Sequence, residues 1–158
     1  VPVRVGQGFD VHPFSDDPTR VLVLGGVPFP GEPGLVGHSD SDVIAHAVVD
    51  ALLGAAGLGD IGQRFPDSDP VWEGADSIGL LEQAVADLRA AGWAPANVDC
   101  TVVLESPKVA PRRAEMESRL SAAVGAPVTV KGKRAEGLGS LGRKEGIACF
   151  AVALVERP

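Results

Sequence analysis

The chain has 158 residues, 45% hydrophobic and 22% charged, with a net charge of -7, a globular composition long enough for one domain, residues 1–158, to bury a core without disulfides. This excludes a disordered chain, and no apolar run approaches the roughly 20 residues of a spanning helix, which excludes a membrane protein. Lys and Arg are scattered along the sequence, which argues against nucleic acid, whose phosphates demand a basic face. Cys100 and Cys149 lie far apart among β-forming residues, without CxxC spacing, and read as buried free thiols. The start carries no basic region followed by an apolar stretch, so no secretory signal and a cytoplasmic location are expected.

Residues 3–9, VRVGQGF, and 21–24, VLVL, are β-type runs separated by a Pro/Asp/Ser-rich turn, as for an N-terminal pair of strands. Asp10 and His12 follow the first run. In extended chain they share a face, with Val11 on the other, so both can reach one ion. After a loop, GVPFPGEPGLVGH, a helix is expected from Ser39 to about Leu53, with Ser39 as cap and Asp42 as capping-box carboxylate. It is apolar nearly all round except for Asp42, His46 and Asp50 at i, i+4 and i+8. Buried ionisable groups need partners, and a metal backed by the two carboxylates would supply them.

The glycines of GLGDIG, 57–62, end this helix, and the Pro/Asp-rich loop 63–75 is long enough for a lid. Residues 76–91 carry apolar side chains at helical spacing. Strands are expected at 98–105, 127–131 and 147–155, and a helix at 111–124 started by Pro111. The whole predicts an α+β fold, a sheet of mixed strands with helices on one face.

All three histidines, His12, His38 and His46, fall in the first third. Asp10, His12 and His46 make a mixed O/N set that leaves one tetrahedral position open, the pattern of a catalytic zinc, although cobalt or manganese would suit the same ligands. GHSDSD, 37–42, is either an ordinary helix cap or a phosphate site built on Ser39 and backbone N–H groups. Residues 130–146 gather Lys131, Lys133, Arg134, Arg143 and Lys144 between glycines. They form either a solvated charge run or a phosphate cradle in which Glu136 holds a second, oxygen-preferring cation.

Together GxGFDVHPF at 6–14, GHSDSDVIAH at 37–46, ALLGAAGLGDIGQRFPDSDP at 51–70, ESPKVAP at 105–111 and GRKEGIA at 142–148 resemble the 2-C-methyl-D-erythritol 2,4-cyclodiphosphate synthase family of the non-mevalonate isoprenoid pathway, in order along essentially the whole chain. The resemblance implies a homotrimer with active sites between subunits. It also implies closure of 4-diphosphocytidyl-2-C-methyl-D-erythritol 2-phosphate on itself with release of CMP. Zinc falls on Asp10, His12 and His46, and a second ion, magnesium or manganese, on Glu136. Catalytic roles fall on His38 and Arg134, with His38 and Ser39 at the phosphate. Asp10, Val11 and His12 contact substrate, Asp60, Ile61 and Gly62 hold the erythritol hydroxyls, and Phe65, Pro66, Asp67, Ser68 and Asp69 form a mobile lid.

By the same resemblance the cytidine lies against Leu104, Glu105, Ser106, Pro107, Lys108, Val109 and Ala110, and against Lys133, Arg134, Ala135 and Glu136. Ser140 and Arg143 complete the set, Arg143 also serving an isoprenoid diphosphate on the trimer axis. Some relatives are fused to the preceding pathway enzyme. This chain departs from the family where Lys133, Arg134 and Ala135 replace small hydroxyl residues, Arg134 standing where a threonine stabilises the transition state, and where Ser140 replaces an aromatic residue. Two alternatives remain: a zinc phosphohydrolase with Asp42 or Asp50 as base, and a weakened nucleotide- or isoprenoid-binding relative.

Overall fold

A computed structural model describes residues 1–158. Four strands form one mixed sheet in the order β1, β6, β4, β5: β1 (Val3–Pro13) and β4 (Ala94–Val103) each run antiparallel to β6 (Gly146–Glu156), and β5 (Val128–Lys133) lies parallel to β4. A separate hairpin joins β2 (Val21–Leu24) to β3 (Val27–Pro33). The first two predicted strands are therefore not a pair. The stretch read as a loop after Leu24 contains β3, whose Pro28, Pro30 and Pro33 obscure it in the sequence; a two-stranded ribbon tolerates prolines on its free side.

Helix α1 (Val43–Ala56) covers β1 and β6, with α3 (Ser77–Ala90) packed on α1 and α4 (Arg113–Val124) against β5 and α3. One-turn helices α2 (Ile61–Arg64) and α5 (Gly139–Gly142) lie in segments read as loops. No helix is long and apolar enough to cross a membrane. The opposite sheet face carries Val5, Phe9 and Val11 of β1 beside Phe150 and Val152 of β6, all exposed.

The β1–α1 contact sets the site. Gly6, Gly8, Asp10 and His12 alternate onto the face beneath α1. A Cβ at Gly8 would lie 1.9 Å from the Ala47 carbonyl oxygen, and one at Gly6 would lie 2.0 Å from that of Ala51. With no side chain at either position the helix backbone rests directly on the strand. Two residues further along, Asp10 and His12 then face His46, the residue before Ala47.

Ser39 does not cap α1. The helix starts four residues later, capped by Asp42, whose Oδ1 accepts the N–H groups of Ile44 (3.2 Å) and Ala45 (3.1 Å). The same carboxylate accepts Gly25 N–H at 2.9 Å and Gly26 N–H at 2.7 Å from the β2–β3 turn. Asp42 is thus a fully buried staple between hairpin and helix. Burial, and then the charge of Asp40, push its carboxyl up to about 6, against the pull of the backbone donors.

Candidate metal centre and its pocket

Asp10, His12 and His46 each offer a ligand atom, all within 4.8 Å of one another. Asp10 Oδ2 lies 2.9 Å from His12 Nε2 and 3.2 Å from His46 Nδ1. His12 Nδ1 is 2.7 Å from the Val36 carbonyl oxygen, which can only accept, so Nδ1 carries the ring proton and Nε2 is bare in the neutral ring. That Nε2 is buried and lacks a hydrogen-bond partner of sound geometry despite the nearby carboxylate oxygen. Two lone-pair atoms facing each other this closely are the arrangement a cation completes. The donor set therefore fits a divalent ion.

Burial opposes charge on Asp10, yet its close contacts with His12 and His46 outweigh it and hold the carboxyl below the usual range. Burial likewise pushes His12 toward the neutral form, and its contact with Asp10 outweighs that and raises it.

The cluster opens into a pocket of ≈ 260 Å³ that His38, Gly62, Phe65 and Asp67 also line. His38 Nε2 is buried and unpartnered. The loop carrying His38 is held by Arg20, whose Nε donates to Leu35 O (2.7 Å) and Nη2 to Ser39 O (2.9 Å), and by Gly74 N–H, which donates to His38 O (2.9 Å). Nothing in the sequence pattern singles out Arg20. Ser39 is buried, its hydroxyl accepting Ser41 N–H (3.1 Å) and standing 3.2 Å from His46 Nε2.

Asp42 and Asp50 do not back His46 as the helical spacing predicts. Asp42 lies at the helix start and spends its oxygens on backbone N–H groups, and Asp50 accepts Ile61 N–H at 2.8 Å. The groups that touch the outer nitrogen of His46 are Ser77, at 2.7 Å, and Ser39. Ser77 in turn bonds Asp40. A serine opening a helix reads in sequence as an ordinary cap, so these partners gave no signal.

The other predicted contacts divide. Asp60 closes a capping box with Gln63, and Ile61 lines the first pocket with Gly62. The lid segment is anchored at its start: Phe65 is buried edge-on against Trp72, ring centroids 5.0 Å apart, whereas Asp67, Ser68 and Asp69 are exposed and Asp69 caps a 3-10 turn at Pro70–Trp72. Val11 points out of the opposite sheet face.

Leu104, Glu105, Pro107, Lys108, Val109, Ala110, Lys133 and Arg134 line a second pocket of ≈ 280 Å³, with Arg113, at the C-terminal ends of parallel β4 and β5. It shares no residue with the first. Ser106, Ala135, Glu136, Ser140 and Arg143 line neither. Glu136 is exposed with a left-handed φ of 56° and joins no ligand cluster. One carboxylate can still serve magnesium, which keeps its waters and takes its remaining ligands from substrate phosphates.

Arg134 is engaged: its Nε (3.1 Å) and Nη2 (2.8 Å) both donate to Glu105 Oε2, while Glu105 Oε1 accepts Ala135 N–H at 2.8 Å. The guanidinium holds the Glu105 carboxyl below its usual range.

Fold and site define an α+β protein with an Asp/His/His cluster opening into a cleft. Residues 3–156 match the YgbB family, and the chain belongs to that family. It is 57% identical to the 2-C-methyl-D-erythritol 2,4-cyclodiphosphate synthase of Bordetella petrii, over 99% of this chain and 98% of that one. The solved structure of the bifunctional IspDF from Campylobacter jejuni superposes with a TM-score of 0.93 at 39% identity, covering 99% of this chain and 43% of that one. A Plasmodium falciparum IspF in complex with CDP gives a TM-score of 0.84 at 34% identity, over 98% of this chain and 96% of that one.

Proposed function

We propose that the chain converts 4-diphosphocytidyl-2-C-methyl-D-erythritol 2-phosphate to 2-C-methyl-D-erythritol 2,4-cyclodiphosphate and CMP, with zinc on Asp10, His12 and His46 and magnesium or manganese on Glu136. The observation that carries it is the buried, unpartnered His12 Nε2 facing Asp10 at the mouth of an open pocket, in a chain matching synthases end to end. The bound ions would supply Lewis acidity, polarising the phosphate oxygens. The substrate's own 2-phosphate attacks the β-phosphorus, the bond to the bridging oxygen breaks, and CMP leaves with that oxygen. The protein supplies no nucleophile, only position and charge: His38 and the Arg20-held loop at one phosphate, Lys108, Lys133 and Arg134 at the leaving nucleotide. Phosphorus NMR of the reaction with zinc and magnesium tests this; the expected products are CMP and a cyclic diphosphate, and a linear product would refute it.

The phosphohydrolase alternative needs a base beside the open position, and neither candidate, Asp42 or Asp50, lines the pocket there. A homotrimer is supported by two observations: the site residues fall into two separate pockets, and the sheet face opposite α1 carries a contiguous apolar patch. Val5→Asp combined with Val152→Asp is expected to give a monomer by light scattering, with metal retained and turnover lost.

Arg134 keeps N–H groups beyond the two that bond Glu105, enough to meet a diphosphate. Arg134→Ala is expected to lower kcat by about 10²-fold, the scale for losing one donor to developing charge. Lysine should not restore it, because it lacks the planar fork. Steady-state kinetics of both variants decide.

A further inference from the structure

We propose that Ser77 and Asp40 are positioning residues for the metal centre: they fix the ring proton of His46 on Nε2, so that Nδ1 is the nitrogen presented to the ion. The argument is a proton count. Asp40 is held in place from two sides, its own N–H donating to Ala75 O at 3.2 Å and its Oδ1 accepting Asp42 N–H at 3.1 Å. Its carboxylate can only accept. Asp40 Oδ2 takes the Ser77 N–H at 3.1 Å, and Oδ1 takes the Ser77 hydroxyl. A hydroxyl has one proton, and this one is spent on Asp40.

With the Ser39 hydroxyl farther off at 3.5 Å, the Ser77 oxygen therefore acts as acceptor toward its nearest remaining neighbour, His46 Nε2, at 2.7 Å. A nitrogen that close to a committed acceptor must carry hydrogen, and in the neutral ring this leaves Nδ1 bare. Nδ1 is the atom that faces Asp10 Oδ2 at 3.2 Å. Ser77 is fully buried, so no water competes for its hydroxyl.

His12 and His46 are thus set in opposite tautomers by different devices. A backbone carbonyl holds Nδ1–H of His12, and a carboxylate acting through a serine holds Nε2–H of His46. Partners of this kind on the far nitrogen of a ligating histidine are what orient it, and their loss weakens metal binding. Ser77 opens α3 and Asp40 lies in the loop before α1, so the same contacts tie the α1–α3 packing to the aim of the imidazole.

The proposal rests on reading the cluster as a metal site, and two readouts keep them apart. Long-range ¹H–¹⁵N correlation spectra of the metal-free protein, at a pH where the ring is neutral, should show His46 with its proton on Nε2. In Ser77→Ala the Nδ1–H form should appear, and the zinc dissociation constant, by chelator competition, should rise about 10- to 100-fold. Ser77→Thr, which keeps the hydroxyl, should restore both, and it serves as the informative variant if the alanine protein does not fold. A wild-type His46 protonated on Nδ1, or a tautomer and affinity unchanged in Ser77→Ala, would overturn the proposal. A wild type that binds no zinc while His46 holds its proton on Nε2 would sink the metal reading and leave the tautomer assignment standing.

Discussion

His46→Ala is expected to lose its divalent ion and with it nearly all turnover. Asp10 and His12 alone leave two ligands from one strand, too few to hold an ion. Lewis-acid stabilisation of transition-state charge is worth several kcal/mol, and about 4 kcal/mol corresponds to a fall of about 10³-fold in kcat. Metal analysis of the dialysed protein, beside steady-state kinetics, checks both halves. Stoichiometric zinc in the variant would refute the ligand set. The fold should survive, since the ring is replaced by a smaller apolar group at the edge of a helix whose other contacts remain, and thermal melting provides that control.

Asp42→Ala is expected to act on stability instead. Its carboxylate serves four backbone N–H groups, two in the β2–β3 turn and two at the start of α1, all with no water to replace it. A lost helix cap costs about 1 kcal/mol, and each buried donor left unpaired costs about 1–3 kcal/mol. The total, about 4 kcal/mol, is at the upper end for a single substitution, and in a chain of this size it lowers the melting temperature by about 10 °C. Asp42→Asn keeps one accepting oxygen and should fall between. A variant as stable as the parent would mean that the hairpin turn and the helix find other partners.

The grouping of Asp10, His12 and His46 into one cluster able to hold a metal was legible because its geometry follows from strand and helix periodicity. Strand alternation puts Asp10 and His12 on one face, and the glycines at 6 and 8, also on that face, let a helix approach closely enough for His46 to meet them. The boundaries of α1 misled for a physical reason. Ser39, Asp40 and Asp42 are all cap-type residues, and only the tertiary contact of Asp42 with Gly25 and Gly26 selects where the helix begins. The same shift moved Asp42 off the His46 stripe.

Ser77 and Arg20 were invisible as site residues because each reaches the site from a distant segment, and Asp40, inside GHSDSD, read as a cap-type residue; their roles rest on hydrogen bonds that no sequence spacing encodes. β3 was hidden by its prolines. Arg134 finds its partner Glu105 in the same way, the two residues standing just past the ends of neighbouring parallel strands and far apart in sequence.

The most direct test is the fate of water oxygen. If the 2-phosphate closes on the β-phosphorus, a reaction run in ¹⁸O-enriched water gives CMP and cyclic diphosphate with no label in either, because no water enters. Mass spectrometry showing ¹⁸O in CMP or in a linear diphosphate would contradict the account and assign the Asp10, His12 and His46 centre to hydrolysis.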